Sequence, residues 1–141
     1  MELNDLVGKK VKEFLISEDK TVIKIICEDG QYYITAYGSC CSDSWFDHIY
    51  VSYASYPLQI IATEEIELGK VLASRQFEDQ LYGYVIKMKS PNGWKEEIKI
   101  EMRNSSNGYY GGSINVGHIP LDQYNKPISE DSFKFVKLDS F

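Results

Sequence analysis

The sequence contains few of the residues that build disulfide-stabilised or metal-binding domains. It has three cysteines, of which Cys40 and Cys41 are adjacent, and two histidines, His48 and His118, in 141 residues. Neighbouring cysteines can close only a strained ring, so the odd count does not indicate a disulfide framework. The two-residue gap between paired zinc ligands is also missing. We therefore expect packed, reduced thiols and no metal site.

Long hydrophobic runs are absent as well. The apolar stretches around Ile23 to Cys27 are far shorter than the about 20 residues that a membrane-spanning helix needs. The first residues, Met1 to Asp5, include acidic side chains where an export signal has a basic start and an apolar stretch. These features predict a cytoplasmic protein with no membrane partner.

Basic residues are too few for a nucleic-acid-binding surface. The 15 lysines and arginines are outnumbered by 21 acidic residues, which gives a net charge of −6. Such a charge repels nucleic-acid backbones and anionic lipid, so we expect no duplex nucleic acid as a partner. The acidic residues are spread along the chain with lysines between them, which does not favour mimicry of DNA by one acidic face.

A complete catalytic apparatus is also missing. No glycine-rich phosphate loop with its lysine is present, and we expect no cofactor. Cys40 or Cys41 lacks the nearby groups that would lower a thiol pKa, and Asp43 and Asp47 would tend to raise it. We predict that the protein is not an enzyme, with one alternative left open: Glu65, Asp43 and His48 could meet in space and form a small nucleotide hydrolase.

The patterns that are present indicate strands. The length predicts one domain, residues 1–141, and a composition of 43% hydrophobic residues is that of a globular protein. The Asp29-Gly30 pair is a strong hairpin signal between two of the strands of a meander. A short helical turn is possible at Leu3 to Leu6. We predict strands at residues 9–16, 21–27, 31–37, 45–53, 58–67 and 113–119, with an edge strand in the segment from Phe133 to Leu138. A helix is the alternative for residues 58–67.

The clearest element is a long hairpin over residues 82–103. Apolar side chains alternate with polar ones in both arms, and Pro91-Asn92-Gly93 forms the turn. The buried face of the second arm is predicted to carry Trp94, Ile98, Ile100 and Met102. The fold class is therefore mainly β, as an antiparallel sheet or a small sandwich or partly open barrel, with at most one or two short helices.

Binding residues are expected where polar loops carry aromatic side chains. The segment from Asn104 to Gly112 can turn tightly, so that its amides form an anion-binding nest while its tyrosines stack on a base or sugar. The alternative is a connecting loop with one ring in the core. Trp45 is likewise either an exposed anchor or a core residue. The candidate ligand-binding residues are Asn104, Ser106, Asn107, Gly108, Tyr109, Tyr110, Trp45 and Arg103.

These motifs resemble an uncharacterised domain family of small phage and bacterial proteins. The resemblance covers about residues 10–117 and rests on Gly38-Ser39-Cys40-Cys41 before Trp45, the segment 60–65, the tyrosine-rich hairpin, and Ser106-Asn107-Gly108-Tyr109-Tyr110. Ser42 stands where the family has an acidic residue after its paired cysteines. Residues 118–141 form an extension that the family pattern does not explain. The resemblance implies a phage or mobile-element setting and no particular activity.

That setting leads to two binding hypotheses besides the hydrolase. The first is a non-enzymatic counter-defence protein that sequesters a small nucleotide-like immune signal in the host cytoplasm, by stacking on Tyr109, Tyr110 and Trp45 and by phosphate contacts from amides and Asn107. The second is an inhibitor that binds a host defence or nucleic-acid-binding protein through a sheet edge or the aromatic loop. We expect a homo-oligomer, since small-ligand sites often form between protomers.

Overall fold

The computed structural model describes residues 1–39, 42–51, 57–72, 78–105 and 111–138, without the side chains of residues 70–72 and 78. Its described part forms one antiparallel sheet of nine strands and two short 3-10 turns, at Leu3–Leu6 and Glu130–Ser132. This confirms the mainly β, antiparallel class. The strands are β1 (Lys10–Ser17), β2 (Val22–Cys27), β3 (Gly30–Gly38), β4 (Asp43–Val51), β5 (Leu58–Leu72), β6 (Glu78–Lys89), β7 (Lys95–Ser105), β8 (Gly112–Gly117) and β9 (Phe135–Lys137).

The sheet is open. Its hydrogen-bonded order is β4-β7-β6-β5-β1-β2-β3-β8, and β9 pairs with β1. A short pairing joins two halves of the sheet, β4-β7-β6-β5 and β1-β2-β3-β8, with Lys10 and Val11 opposite Gln59 and Leu58. Both halves contribute to one hydrophobic cluster, and the Phe46 amide on β4 donates to the Lys20 carbonyl before β2 at 2.7 Å. The core therefore lies between the halves, and the face toward it is called the inner face.

The β6–β7 hairpin has the predicted register. Its pairing runs from Gln80 opposite Asn104 to Lys89 opposite Lys95, and Tyr84, Ile86 and Ile98 are buried on the inner face. Apolar residues at every second position place one whole face against the core. The alternation in the sequence thus determines which face of the hairpin is buried.

Trp94 corrects one expectation. Its side chain is 73% exposed, whereas the alternation predicts it on the buried face with Ile98. The Ser90 amide donates to the Trp94 carbonyl at 2.9 Å, so Trp94 closes the turn before β7 begins at Lys95. The buried face of β7 therefore does not include Trp94, and its first core residue is Ile98.

Three strands are longer than predicted. β5 continues to Leu72 instead of closing at Leu68-Gly69, because a bulge between Glu67 and Gly69 accommodates Leu68 without ending the pairing with β6. β7 continues through Asn104 and Ser105 in regular register with β4, and β6 begins at Glu78 rather than at residue 82. The glycine and polar residues at these positions therefore do not end their strands.

The C-terminal segment covers the outer face of the first meander. β9 pairs with the end of β1, and Leu138 belongs to the hydrophobic cluster. Lys24 on β2 is 7% exposed and forms a salt bridge with Glu130, which also accepts a hydrogen bond from the Tyr33 hydroxyl at 2.7 Å. A buried lysine requires a partner of opposite charge, and the segment supplies it. No helix in the described ranges is long and apolar enough to cross a membrane.

The Glu130 contacts predict an acid-sensitive attachment of this segment. Hydrogen bonds from Lys24 and then from Tyr33 lower the pKa of Glu130 below its usual value. The contribution of the carboxylate to stability is therefore complete above the unfolded pKa of about 4.3 and is lost as the pH falls through the lower folded pKa. Glu130→Gln should flatten this acid limb in denaturation curves measured from neutral pH downward. Glu28→Gln, at an exposed turn residue, should leave it unchanged, and equal slopes for the two variants would contradict the prediction.

Candidate functional site

Several strand ends meet at one end of the sheet. β3 ends at Gly38, β4 begins at Asp43, β7 ends at Ser105 and β8 begins at Gly112. We call this region the polar end and define it by Ser42, Ser44 and Asn104 on the inner face and by Trp45, Asp47, Asp79 and Arg103 on the outer face. The residue pairs of β4 and β7 place both groups there, because Ser44 lies opposite Asn104 and Trp45 opposite Arg103.

Asn104 is the centre of the inner group. It is 1% exposed, and its Nδ2 donates to Ser44 Oγ at 2.8 Å and to Ser42 Oγ at 3.2 Å. Ser42 Oγ donates its own proton to the Ser39 carbonyl at 2.6 Å, so it can only accept from Asn104, which fixes the orientation of the amide. Asn104 Oδ1 is then buried without a hydrogen-bond partner among the described residues. An unpaired buried acceptor costs about 1–3 kcal/mol, so a group that pairs with it would be favoured here.

Close backbone packing surrounds this amide. A Cβ on Gly38 would lie 2.5 Å from the Ser42 carbonyl oxygen, and a Cβ on Gly112 would lie 2.5 Å from Ser44 Oγ. The Gly112 amide donates to the Tyr82 hydroxyl at 3.3 Å, and the Tyr82 hydroxyl donates to Gln80. These glycines allow β3 and β8 to approach β4 and β7, which encloses the inner group.

The outer group is an ion-pair cluster around Arg103. Arg103 Nε donates to Asp79 Oδ2 at 2.5 Å, and Nη1 lies 3.9 Å from Asp47 Oδ2. Asp47 also accepts a hydrogen bond from Trp45 Nε1 at 3.3 Å, and Asp79 is 3% exposed with its Oδ1 unpaired in the described part of the chain. Two carboxylates and one guanidinium give this cluster a negative formal charge. The charge of Arg103 is already balanced by protein groups.

Comparison with known proteins assigns the chain to a family. A family model described as a domain of unknown function, DUF7448, matches residues 4–116. The chain belongs to the DUF7448 family. The matched range contains both groups of the polar end and leaves residues 117–141 outside. No curated protein and no solved structure matches the chain.

Three of the sequence-predicted site residues lie in the described part of the DUF7448 domain. Asn104, Arg103 and Trp45 are all at the polar end, but they do not form one surface. Neighbouring residues of a strand face opposite sides, so Asn104 points to the inner face while Trp45 and Arg103 lie on the outer face. The other predicted residues, Ser106, Asn107, Gly108, Tyr109 and Tyr110, lie outside the described residues, as do Cys40 and Cys41.

Sequence reasoning missed Ser42, Ser44 and Asp79. The two serines alternate with Asp43 and Trp45, which is the pattern of residues that share one face of a strand. The signal could not be used because β4 was predicted to begin at residue 45. Asp79 gave no local signal, because its partner Arg103 is 24 positions away. Its role depends on the pairing of β6 with β7.

The residues of the hydrolase alternative are not brought together. Asp43 and His48 lie on the outer face of β4, whereas Glu65 on β5 lies opposite the core residue Tyr84. β7 and β6 separate β4 from β5, a distance of about 14 Å at the usual strand spacing. In the described ranges no three His, Cys, Asp or Glu side chains could share a metal ion. The described cysteine, Cys27, is buried, and burial raises the pKa of its thiol to about 11.

Proposed function

We propose that this DUF7448 protein is a non-enzymatic binding protein that sequesters a small nucleotide-like ligand at the inner side of the polar end. The observation that carries the proposal is Asn104 Oδ1, a buried acceptor without a described partner in an otherwise hydrogen-bonded amide and serine network. The exocyclic amino group of a nucleobase is a donor that would satisfy it. Buried polar networks with one open acceptor favour a ligand that completes them.

In this proposal, different residues make the base, stacking and phosphate contacts. Base recognition is assigned to Asn104, and stacking to Tyr109 and Tyr110, which follow β7 within a few residues. Phosphate contacts are assigned to the amides of segment 106–110 rather than to Arg103, because Asp79 and Asp47 balance the Arg103 charge. Trp45 faces the other side of the sheet and is not assigned to this ligand.

The setting of the proposal comes from the family resemblance and the sequence. In this setting a phage-encoded protein counteracts host defence by removing an immune signal in the host cytoplasm. A homo-oligomer is part of the same proposal, because a second protomer would help to enclose a small ligand. Sedimentation analysis with and without ligand tests this part.

Calorimetric titration with a panel of defence nucleotides tests the site. Tyr109→Ala and Tyr110→Ala should each weaken binding of the captured nucleotide about tenfold or more, the loss of one base stack. Two controls separate the faces: Trp45→Ala on the outer face and Tyr50→Ala, a 54% exposed ring on β4, should leave the affinity unchanged. Loss of binding in Trp45→Ala with no effect of Tyr109→Ala or Tyr110→Ala would transfer the site to the outer cluster and refute the assignment to Asn104.

A further inference from the structure

β5 has one long edge without a strand partner. β6 pairs with β5 along its length, from Gln59 opposite Lys89 to Leu72 opposite Glu78. On the other edge, β1 pairs only with Leu58 and Gln59, and the Gly8 amide donates to the Ile60 carbonyl. Past Ile60, no backbone hydrogen bond joins this edge to any residue that the structure describes. We call residues 61–69 the β5 edge.

The β5 edge is acidic and partly apolar. It contains Glu64, Glu65 and Glu67 around Ile66, and Ile66 is 45% exposed. Glu64 forms a salt bridge with Lys87 at 2.7 Å, while Glu65 and Glu67 form none within the described ranges. Charged side chains on an edge strand oppose pairing with a second copy, because like charges would face each other. The same carboxylates attract a strand of opposite charge.

A cavity lies beside this edge. It has a volume of about 430 Å³ and is lined by Thr63, Glu64 and Glu65 of β5, by Ile114 and Val116 of β8, and by residues 1–4. Consecutive residues of a strand face opposite sides, so a cavity that touches three in a row borders the edge of the strand rather than one face. The cavity therefore offers space next to unpaired backbone groups, with an apolar wall opposite two carboxylates.

We infer that the β5 edge binds an extended segment of a partner protein that carries lysine or arginine. The segment adds to the sheet as a strand through backbone hydrogen bonds. Its basic side chains pair with Glu65 and Glu67, and an apolar side chain on the same face of the segment enters the cavity against Ile114 and Val116. The commitment to a basic partner comes from charge complementarity, since three of the four residues 64–67 are glutamates. This surface is separate from the inner group at the polar end, so it does not depend on the nucleotide proposal.

The test uses a short capped peptide of about six residues in which every second residue, in the order lysine, lysine, valine, lies on one face, with threonine at the positions between them. Binding should be saturable, should weaken with salt, and should protect backbone amides of residues 61–69 from hydrogen exchange. Glu65→Lys/Glu67→Lys should reduce the affinity about tenfold or more. Glu18→Lys/Glu28→Lys changes the net charge equally at exposed turn residues and should not. Circular dichroism of both variants verifies that they fold.

Four outcomes would overturn the inference. A peptide with the same side chains and methylated backbone nitrogens cannot pair as a strand, so equal binding of the methylated and unmethylated peptides would leave only charge attraction. Absence of binding, or protection of amides outside the β5 edge, would remove the site. A dimer that Glu65→Lys/Glu67→Lys dissociates in sedimentation would assign the edge to a second copy of this chain.

Discussion

Arg103→Met is expected to lower the free energy of unfolding by about 3–5 kcal/mol, the usual cost of removing one partner of a buried ion pair. Asp79 has a side chain 5% exposed, and its Oδ2 accepts the Arg103 Nε hydrogen bond at 2.5 Å. Methionine keeps most of the buried volume but leaves the Asp79 carboxylate without a counter-charge. Chemical denaturation followed by tryptophan fluorescence measures the loss.

Two further variants separate the ion pair from general effects of substitution. Lys99→Met is the matched control, because Lys99 lies on the same strand and face, has a side chain 58% exposed and pairs with Glu97 at 3.5 Å. Its cost should be below about 1 kcal/mol. Arg103→Met/Asp79→Met removes both charges and should recover most of the loss. Equal stabilities of Arg103→Met and Lys99→Met would show that the cluster is not a buried ion pair.

Gly38→Ala should destabilise the polar end by about 1–3 kcal/mol, the usual cost of forcing an extra methyl group into a packed site. The new Cβ would lie 2.5 Å from the Ser42 carbonyl oxygen and 3.0 Å from its carbonyl carbon, so the backbone itself must move. That movement would displace the serine that accepts from Asn104. We therefore expect ligand affinity to fall together with stability, measured by titration and denaturation of the same samples.

Gly117→Ala provides the control for this substitution. Gly38 and Gly117 both belong to the paired positions of β3 and β8, but a Cβ on Gly117 would meet no atom within 4 Å. Alanine there should be neutral or should stabilise by less than about 1 kcal/mol, since it restricts the unfolded chain. Similar losses for both variants would mean that the close approach to Ser42 does not limit the polar end.

The sequence predicted those parts of the fold that depend on local alternation. The β6–β7 hairpin was predictable because Tyr84 and Ile86 in one arm, and Ile98 and Ile100 in the other, repeat every second residue. The short pairing of β1 with β5 was not, because it joins residues about 50 positions apart and carries no local pattern. The burial of Lys24 was equally unpredictable, since it depends on Glu130, which lies 106 positions away.

The arrangement of the candidate residues could not be predicted from the sequence. Trp45, Arg103 and Asn104 lie near one another at one end of the sheet, but on two different faces. Arg103 and Asn104 face opposite sides of the sheet because they are neighbours in β7. The sequence did not indicate this, since Asn104 was expected to end the strand. Arg103 was expected to contact a ligand, but its guanidinium pairs with Asp79 and Asp47, and only the register of β6 and β7 shows the pairing with Asp79.

The most direct test of ligand capture is to incubate the purified protein with the nucleotide panel, separate free from bound nucleotide, and denature the protein by heat. The proposal predicts that one nucleotide is depleted from the free pool and is released chemically intact. Release of an altered nucleotide would make the protein an enzyme, and a panel that stays entirely free would contradict nucleotide sequestration.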